Sequence, residues 1–242
     1  MLKKENKVEG TKIISVGGSI IAPDQPSETM LIEFVSMITD WLSQDDSRRL
    51  ILIAGGGGPA RAYQAAFYHV MSGLGQEISN MAADWIGVAA TRLNAELLRA
   101  CFGSELAPEP VVTNPLEAPQ SWRGKILVAA GWKPGFSSDN DAVLLAERYG
   151  ARQVINLSNI EKIYTADPKT DPTATPLDSI SWADFCQMVG SEWRPGLNAP
   201  FDPIASKKAA ALGLTVICAK GTDVKNTRAI LDGAAFIGTT IS

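Results

Sequence analysis

The sequence predicts an α/β fold in which a mainly parallel sheet carries helices on both faces. Short, continuous apolar runs rich in β-branched residues alternate with longer segments of helical periodicity. Strands buried on both faces read as uninterrupted apolar runs, and strand–helix alternation is typical of a parallel sheet covered by helices. Glycine-rich turns follow several of the apolar runs directly. Such turns are typical of α/β folds that bind a ligand at the carboxyl edge of the sheet.

Six segments are predicted to be strands, because each is a short apolar run bounded by glycine, proline or polar residues. They are residues 12–16, 50–54, 111–113, 125–130, 153–157 and 214–219.

Seven segments are predicted to be helices from the spacing of their apolar residues and from capping residues at their starts. They are residues 27–43, 59–71, 79–102, 139–149, 182–189, 203–212 and 223–231. Pro59 suits the first turn of its helix, where a missing N–H costs nothing.

Length and composition predict a globular chain with an ordinary core. Of the 242 residues, 45% are hydrophobic and 20% are charged, and a chain of this size buries about 70% of the surface that it exposes when unfolded. The sequence contains no repeat and no linker-like Gly/Ser stretch. A flexible N-terminus over residues 1–10 and one domain over residues 11–242 are therefore expected.

Charge and special residues exclude several classes of function. The net charge is −4 without a long basic block, which disfavours nucleic-acid binding. No apolar run approaches the length that spans a bilayer, and the N-terminus is polar, so no membrane partner is expected. The single histidine and the three scattered cysteines exclude His-rich and CxxC metal sites. Reduced thiols suit a cytoplasmic protein.

The first glycine-rich turn contains Gly17, Gly18 and Ser19, at the end of the first predicted strand. Two glycines let a ligand approach the backbone closely, and free N–H groups in such a turn form a nest for an anion. A glycine pair alone is a weak signal, and by itself it favours a tight turn that has no chemical role.

The second turn contains four consecutive glycines, residues 55–58, between a strand and a helix that carries Arg61 one turn in. The N–H groups of the helix start and the guanidinium of Arg61 both favour a phosphate. No Gly-Lys-Ser/Thr follows, so the turn is not a Walker A loop, and it lacks the GxGxxG pattern of dinucleotide-binding folds.

The third turn covers residues 131–139 and ends with Ser137, Ser138 and Asp139 at a helix start. These side chains either cap the helix without a ligand, or place two hydroxyls on a phosphate while Asp139 holds a metal or orients donors. Because the carboxyl ends of parallel strands share one edge of a sheet, we expect the three turns to form one site.

Several motifs resemble the amino acid kinase superfamily and, within it, the archaeal-type UMP kinases. They are residues 13–19, 55–58, 84–87, 91–94, 156–168, 202–207 and 238–241. The resemblance covers about residues 12 to 241 and implies a three-layer α/β/α sandwich. It further implies phosphoryl transfer from ATP to UMP with Mg²⁺ carried by ATP, an acceptor lobe over residues 11–135 and an ATP lobe over residues 136–242. Similar enzymes are hexamers built from dimers, which implies a homo-oligomer.

The resemblance also implies roles for individual residues. An ATP-binding role falls on Gly17, Gly18, Ser19, Asn159, Tyr164, Asp167 and Pro168. A UMP-binding role falls on Gly56, Gly57, Arg61, Asp84, Gly131, Ser137 and Ser138, with Arg61 on the phosphate and Asp84 on the ribose hydroxyls. The catalytic group comprises Asp139, which organises the active centre, together with Gly18 and Lys207.

The chain departs from the family pattern at particular residues. Ser15 stands where many relatives carry a lysine that bridges the donor and acceptor phosphates. Lys12 falls on the opposite strand face, so Lys207 or Lys220 is the candidate substitute. Lys162 replaces a glycine of the ATP loop.

Two alternatives to a UMP kinase stay open. The run Asp139-Asn140-Asp141 resembles a motif of glutamate 5-kinases, so the acceptor could be glutamate or acetylglutamate. The serine at position 15 also suits a nucleotide-binding or storage protein of the same fold that does not catalyse transfer.

Overall fold

A computed structural model describes residues 11–190 and 199–242. The predicted flexible N-terminus, residues 1–10, lies outside the described residues. The strands are β1 (Thr11–Val16), β2 (Arg49–Ala54), β3 (Ile126–Ala129), β4 (Gln153–Ser158), β5 (Ile163–Tyr164), β6 (Pro176–Leu177), β7 (Ser179–Ile180), β8 (Thr215–Lys220) and β9 (Thr239–Ile241). The helices are α1 (Gly18–Ile21), α2 (Glu28–Ser43), α3 (Gly57–Gly73), α4 (Asn80–Leu106), α5 (Ser138–Tyr149), α6 (Trp182–Val189), α7 (Pro203–Ala211) and α8 (Val224–Asp232).

The main sheet has seven strands in the order β3-β2-β1-β4-β8-β9-β7. Every pairing in it is parallel except that of β8 with β9. Strands β5 and β6 form a separate antiparallel pair. The predicted mainly parallel sheet is therefore confirmed.

Two hydrophobic layers, one on each face of the sheet, complete the sandwich. Alternate residues of β1 face opposite layers, so that Ile14 packs with α2 and α4 while Ile13 packs with α5 and α7. Large side chains fill both layers, among them Phe34 and Trp41 on the first side and Phe185 on the second. The three-layer α/β/α arrangement expected from the resemblance is confirmed.

One predicted strand is wrong. In the segment 111–113 only Val112 pairs, through an isolated bridge to Ala129 beside β3. The segment lies between Pro110 and Pro115, and proline cannot donate to a ladder. The chain therefore contacts the sheet edge at one residue and leaves it again.

The helix predicted over 79–102 is confirmed, and its regular geometry ends at Gly103, one residue after the predicted end. Gly103 has φ 75° and ψ 168°, which is not helical, and a short further turn extends α4 to Leu106. The short elements α1, β5, β6 and β7 were not predicted, because two to four residues carry too little periodicity to be recognised. No helix in the described part of the chain combines the length and apolarity needed to cross a membrane.

Candidate active site

The first two glycine-rich turns pack against each other through their backbones. A Cβ added to Gly18 would lie 2.0 Å from the nitrogen of Gly57 and 2.6 Å from the carbonyl carbon of Gly55. Gly57 has φ 64°, in the left-handed region that glycine adopts without strain. The close contact therefore requires glycine at these positions, and it joins the carboxyl ends of β1 and β2 into one surface.

Hydrogen bonds fix the first turn to its neighbours. The Gly17 N–H donates to the Leu157 carbonyl over 2.8 Å, and the Gly55 N–H donates to the Val16 carbonyl over 2.9 Å. The Gly17 N–H is therefore not available to an anion. Gly18 and Ser19 are the first residues of α1, where helix geometry offers their N–H groups no carbonyl one turn earlier.

Asn94 holds the second turn from beneath, and sequence reasoning assigned it no role. Its side-chain nitrogen donates to the carbonyl of Gly55 over 2.8 Å and to that of Gly56 over 3.1 Å. Asn94 is only 2% exposed. These bonds turn the carbonyls of the two glycines toward α4, which leaves the N-terminus of α3 facing the cleft.

The third turn is tied to α4 and α5 by four hydrogen bonds to its backbone. They are Gly131 N–H to Thr91 Oγ1 (2.8 Å), Trp132 N–H to Asp141 Oδ2 (3.1 Å), Arg92 Nη2 to the Trp132 carbonyl (3.0 Å) and Gly135 N–H to Asp84 Oδ2 (3.2 Å). Each bond comes from a different side chain, so the turn is held at several points along its length. Arg92 also lies 5.8 Å from the ring of Trp85.

Asp139, which follows the cleft residue Ser138 but does not itself line the cleft, joins three elements. One carboxylate oxygen accepts from Ser15 Oγ over 3.5 Å, and the other accepts from the Asp202 N–H over 3.1 Å. Asp202 in turn caps α7 through a bond from the Ala205 N–H. Burial among protein atoms, together with the nearby charge of Asp202, raises the pKa of Asp139 to about 7, although its hydrogen bonds act in the opposite direction.

Asp141 is a second buried carboxyl group that sequence reasoning left without a role. It is 0% exposed, and its Oδ1 atom has no hydrogen-bond partner within the described residues. Burial raises its pKa to about 7, with a further contribution from the charge of Asp139. The signal available in the sequence was the Asp139-Asn140-Asp141 run, which places two acids in the first turn of one helix.

The two raised pKa values predict that the free protein loses stability as the pH rises. Both folded-state values, about 7, exceed the ordinary value of 3.8. The folded protein therefore holds more protons than the unfolded chain above about pH 4, and the resulting loss of stability is complete above about pH 7. We expect Asp141→Asn to lose less thermal stability than the wild type between about pH 5 and pH 8, measured as Tm.

Glu77→Gln is the matched control for this titration, because Glu77 is exposed and its loss removes the same charge. The control should follow the wild-type curve. Parallel curves for Asp141→Asn and the wild type would show that Asp141 is ionised in the folded protein at pH 5, contrary to the expectation.

The three turns enclose a cleft of about 240 Å³. Six of the seven residues expected to bind UMP line it, namely Gly56, Gly57, Asp84, Gly131, Ser137 and Ser138. The seventh, Arg61, is exposed, and its guanidinium donates to the carbonyl of Pro23 over 2.8 Å. A larger cavity, about 310 Å³, lies along residues 109–119 and is lined by none of the expected site residues.

The residues expected to bind adenosine lie beyond β4. Asn159 follows that strand, Tyr164 lies in β5, and Asp167 and Pro168 lie in the following loop. The Asp167 carboxylate accepts from the Lys169 N–H over 2.9 Å and so shapes its own turn. Lys162, which replaces the family's glycine, forms an ion pair with Asp178.

The candidate substitutes for the lysine missing at Ser15 occupy different places. Lys207 lies in α7, the helix capped by Asp202. Lys220 is exposed at the end of β8, beside Ser158 of β4. Burial and the charge of Arg48 lower the pKa of Lys12, and the charge of Asp232 acts in the opposite direction. These neighbours place Lys12 on the side of the sheet that carries α2 and α8, away from Asp139.

Known proteins share this architecture. The sequence model of the amino acid kinase family matches residues 10–220. The chain is 31% identical to the uridylate kinase of Methanospirillum hungatei over 96% of this chain and 94% of that relative. It is 32% identical to the uridylate kinase of Methanoculleus marisnigri over 95% and 94% of the two chains.

Among solved structures, the crystal structure of uridylate kinase from Archaeoglobus fulgidus superposes with a TM-score of 0.79 at 30% identity, over 96% of this chain and 100% of that chain. The UMP kinase from Bacillus anthracis, at 18% identity and a TM-score of 0.75, shares the fold. The match of the family's sequence model and the identity to these uridylate kinases show that the chain described here belongs to the amino acid kinase family.

Proposed function

We propose that this chain is a UMP kinase, which transfers the γ-phosphoryl group of ATP to UMP to give UDP in pyrimidine nucleotide synthesis. The observation that carries the proposal is the alignment with relatives named uridylate kinase, which extends over more than nine-tenths of both chains. The cleft supports it, because residues matched to UMP binding line one cavity although they lie far apart in the sequence.

The chemistry requires positioning and charge neutralisation more than covalent participation by the protein. An oxygen of the UMP phosphate forms a bond to the γ-phosphorus, while the bond from that phosphorus to the bridging oxygen of ADP breaks. The N-termini of α3 and α5 both open into the cleft, and Ser137 and Ser138 add hydroxyl groups there. Helix N-termini favour phosphate through their N–H groups and dipoles.

Asp139 would organise the centre where the two nucleotides meet. Its carboxylate accepts hydrogen bonds from Ser15 of β1 and from the Asp202 N–H before α7. It would therefore fix the positions of these two segments relative to α5. Mg²⁺ in such sites keeps substrate phosphates and water as ligands and takes one or two carboxylates from the protein. Asp139 fits that requirement for a cation that arrives with ATP and neutralises phosphate charge.

Arg61 would bind the phosphate of UMP after leaving the Pro23 carbonyl. The bond to that carbonyl keeps the guanidinium at the side of α3, one turn from the helix start that lines the cleft. A guanidinium can bind a phosphate through two parallel bonds to a charged group, whereas the carbonyl is a single neutral acceptor, so a bound phosphate favours the exchange. Gly18 and Ser19 would offer their N–H groups to the phosphates of ATP, while Gly17, whose N–H is bonded to Leu157, would only let the phosphates approach the backbone. Asn159, Tyr164, Asp167 and Pro168 would contact the adenosine.

The division into an acceptor lobe, residues 11–135, and an ATP lobe, residues 136–242, is part of the proposal, as is a cytoplasmic location. The described cysteines are unpaired, which suits a reducing compartment.

The proposal is tested by measuring ADP release from Mg-ATP with UMP, dUMP, CMP, glutamate, acetylglutamate or no acceptor. Release that depends on UMP supports a UMP kinase and shows that serine is tolerated at position 15. Release only with an amino acid would instead favour a kinase of the glutamate 5-kinase type. Stabilisation by ATP without any release would indicate a binding or storage protein, since a ligand at 100 times its Kd adds about 2.7 kcal/mol.

A homo-oligomer is the second part of the proposal, with α3 as its contact surface. Four apolar side chains, Tyr63, Phe67, Val70 and Leu74, follow one another at helical spacing along α3 and its C-cap. Tyr63 is 71% and Val70 is 57% exposed. An exposed apolar stripe of this kind marks an interaction surface, and a second copy of the helix would cover it.

We expect Tyr63→Glu combined with Val70→Glu to lower the mass measured by light scattering after gel filtration. Buried charge without a partner is strongly unfavourable, so an α3 contact should not survive. The matched control is Ile32→Glu, because Ile32 is equally exposed but lies on α2. A wild-type protein that elutes as a monomer, or an unchanged mass in the double variant, would exclude α3 as the contact.

A further inference from the structure

Lys133 occupies an unusual position in the acceptor cleft. Of the residues that line it, only Asp84 and Lys133 are charged. The ammonium of Lys133 lies 3.9 Å from the ring centre of Trp132 and 5.0 Å from that of Phe136. Across residues 11–190 and 199–242, no carboxylate lies within ion-pairing distance of it. Lys133 therefore lines the cleft as an exposed residue whose ammonium packs on aromatic rings.

The backbone that carries Lys133 is held in place. Hydrogen bonds from α4 and α5 hold the turn at Gly131, Trp132 and Gly135, and the Phe136 N–H closes the turn by donating to the Lys133 carbonyl over 3.2 Å. Pro134 further restricts the backbone of the residue before it. The ammonium is thus presented from a fixed point, and only its flexible side chain needs to move to meet a ligand.

The hydrogen bond to Asp84 relates the turn with Lys133 to the expected ribose position. The resemblance places Asp84 on the ribose hydroxyls, and Asp84 accepts from the Gly135 N–H, two residues after Lys133. The N-terminus of α5 supplies N–H groups and a positive dipole end, which suit a phosphate, whereas at the start of α3 the Gly58 N–H already donates to the Ala22 carbonyl and Pro59 has no N–H. A nucleotide with its phosphate on α5 and its ribose at Asp84 would bring its base near this turn.

We propose that Lys133 is a specificity-determining residue that donates a hydrogen bond to the carbonyl oxygen at position 4 of the acceptor's base, and that it thereby favours uracil over cytosine. The proposal rests on the UMP kinase function proposed above. An ammonium has three donors and no acceptor. It matches the carbonyl oxygen that uracil carries at position 4 and opposes the amino group that cytosine carries there. The adjacent rings of Trp132 and Phe136 offer an apolar surface beside a planar base.

The test compares kcat/KM for UMP and for CMP in the wild type and in Lys133→Met and Lys133→Arg. Hydrogen bonds to charged groups contribute enough that losing this one should lower kcat/KM for UMP by roughly 10- to 100-fold. The value for CMP should stay constant or rise, so the UMP-to-CMP ratio falls. Arginine keeps the donors and the charge, and Lys133→Arg should retain most of the ratio.

Lys225→Met is the control, because Lys225 is exposed on α8 and its loss changes the net charge equally. It should leave both substrates unaffected. An equal fall for UMP and CMP in Lys133→Met would mean that Lys133 acts on the phosphate or on general positioning, and this would overturn the proposal. Unchanged kcat/KM values for both UMP and CMP in Lys133→Met would overturn it as well. A wild type that releases no ADP with UMP would instead refute the UMP kinase function itself, and with it this inference.

Discussion

Asp139→Asn is expected to lower kcat by roughly 10²- to 10³-fold, the range for loss of one preorganised electrostatic group from an active centre. The carboxylate joins Ser15 of β1 to the N–H of Asp202 before α7, and it follows Ser138, which lines the cleft. Asparagine has the same shape but lacks the charge. The fold and the binding of UMP should therefore be retained while the chemical step slows.

The measurement is steady-state ADP release with saturating Mg-ATP and UMP, together with Tm and the Kd for UMP. Glu77→Gln removes one acidic charge from an exposed site on the chain and should behave as the wild type. A wild-type kcat in Asp139→Asn would remove Asp139 from the centre. A large fall in Tm would instead assign it a mainly structural role.

The pH dependence supplies a second measurement on the same residue. Burial raises the pKa of Asp139 to about 7 in the free protein, and kcat/KM reports the ionisation of the free enzyme. If the ionised carboxylate is the active form, kcat/KM for UMP should fall as the pH decreases through about 7. The residual activity of Asp139→Asn should lack that limb of the profile.

Gly18→Ala is expected to have the largest effect on stability. The new Cβ would lie 2.0 Å from the Gly57 nitrogen and 2.6 Å from the carbonyl carbons of Gly55 and Gly56. All of these are backbone atoms, which cannot move aside as the end of a flexible side chain does. Overpacking of this kind costs roughly 1–3 kcal/mol and can cost more, and it would also separate the two turns that form the phosphate end of the cleft.

The control for this variant is Gly73→Ala at the end of α3, where an added Cβ meets nothing within 4 Å. That change should be neutral or slightly stabilising, because alanine restricts the unfolded chain. Urea unfolding and the KM values for ATP and UMP provide the readouts. A Gly18→Ala protein with wild-type stability and KM values would show that the two turns can separate without consequence.

Local patterns in the sequence were sufficient for most of the fold. Strands β2 and β8 carry uninterrupted apolar runs, and the runs of β1 and β4 are broken only by Ser15 and Asn156. The sequence displays this pattern because both faces of the central sheet are covered. The edge segment 111–113 was wrongly predicted. Its composition resembles a strand, but flanking prolines limit its pairing to the Val112 bridge.

The candidate site was predictable only in part. The glycine-rich turns indicated the edge of the sheet at which the cleft forms, and the family motifs indicated many residues that line the cleft. The support provided by Asn94 and Asp141 was missed. Asn94 bonds to residues 38 and 39 positions away in the chain, and no local periodicity encodes such a pairing. The attachment of Arg61 to Pro23 likewise depends on a loop 38 residues earlier.

The sequence by itself determined the order of strands and helices, the parallel sheet and the glycine-rich turns after the strands. These follow from hydrophobic periodicity and from backbone freedom, which act over a few neighbouring residues. Tertiary structure alone decided that Gly18 lies against Gly57, that Ser15 and Asp202 meet at Asp139, and that Lys133 and Asp84 line the same cleft. Contacts between distant segments depend on how the layers pack, and packing is a property of the whole chain.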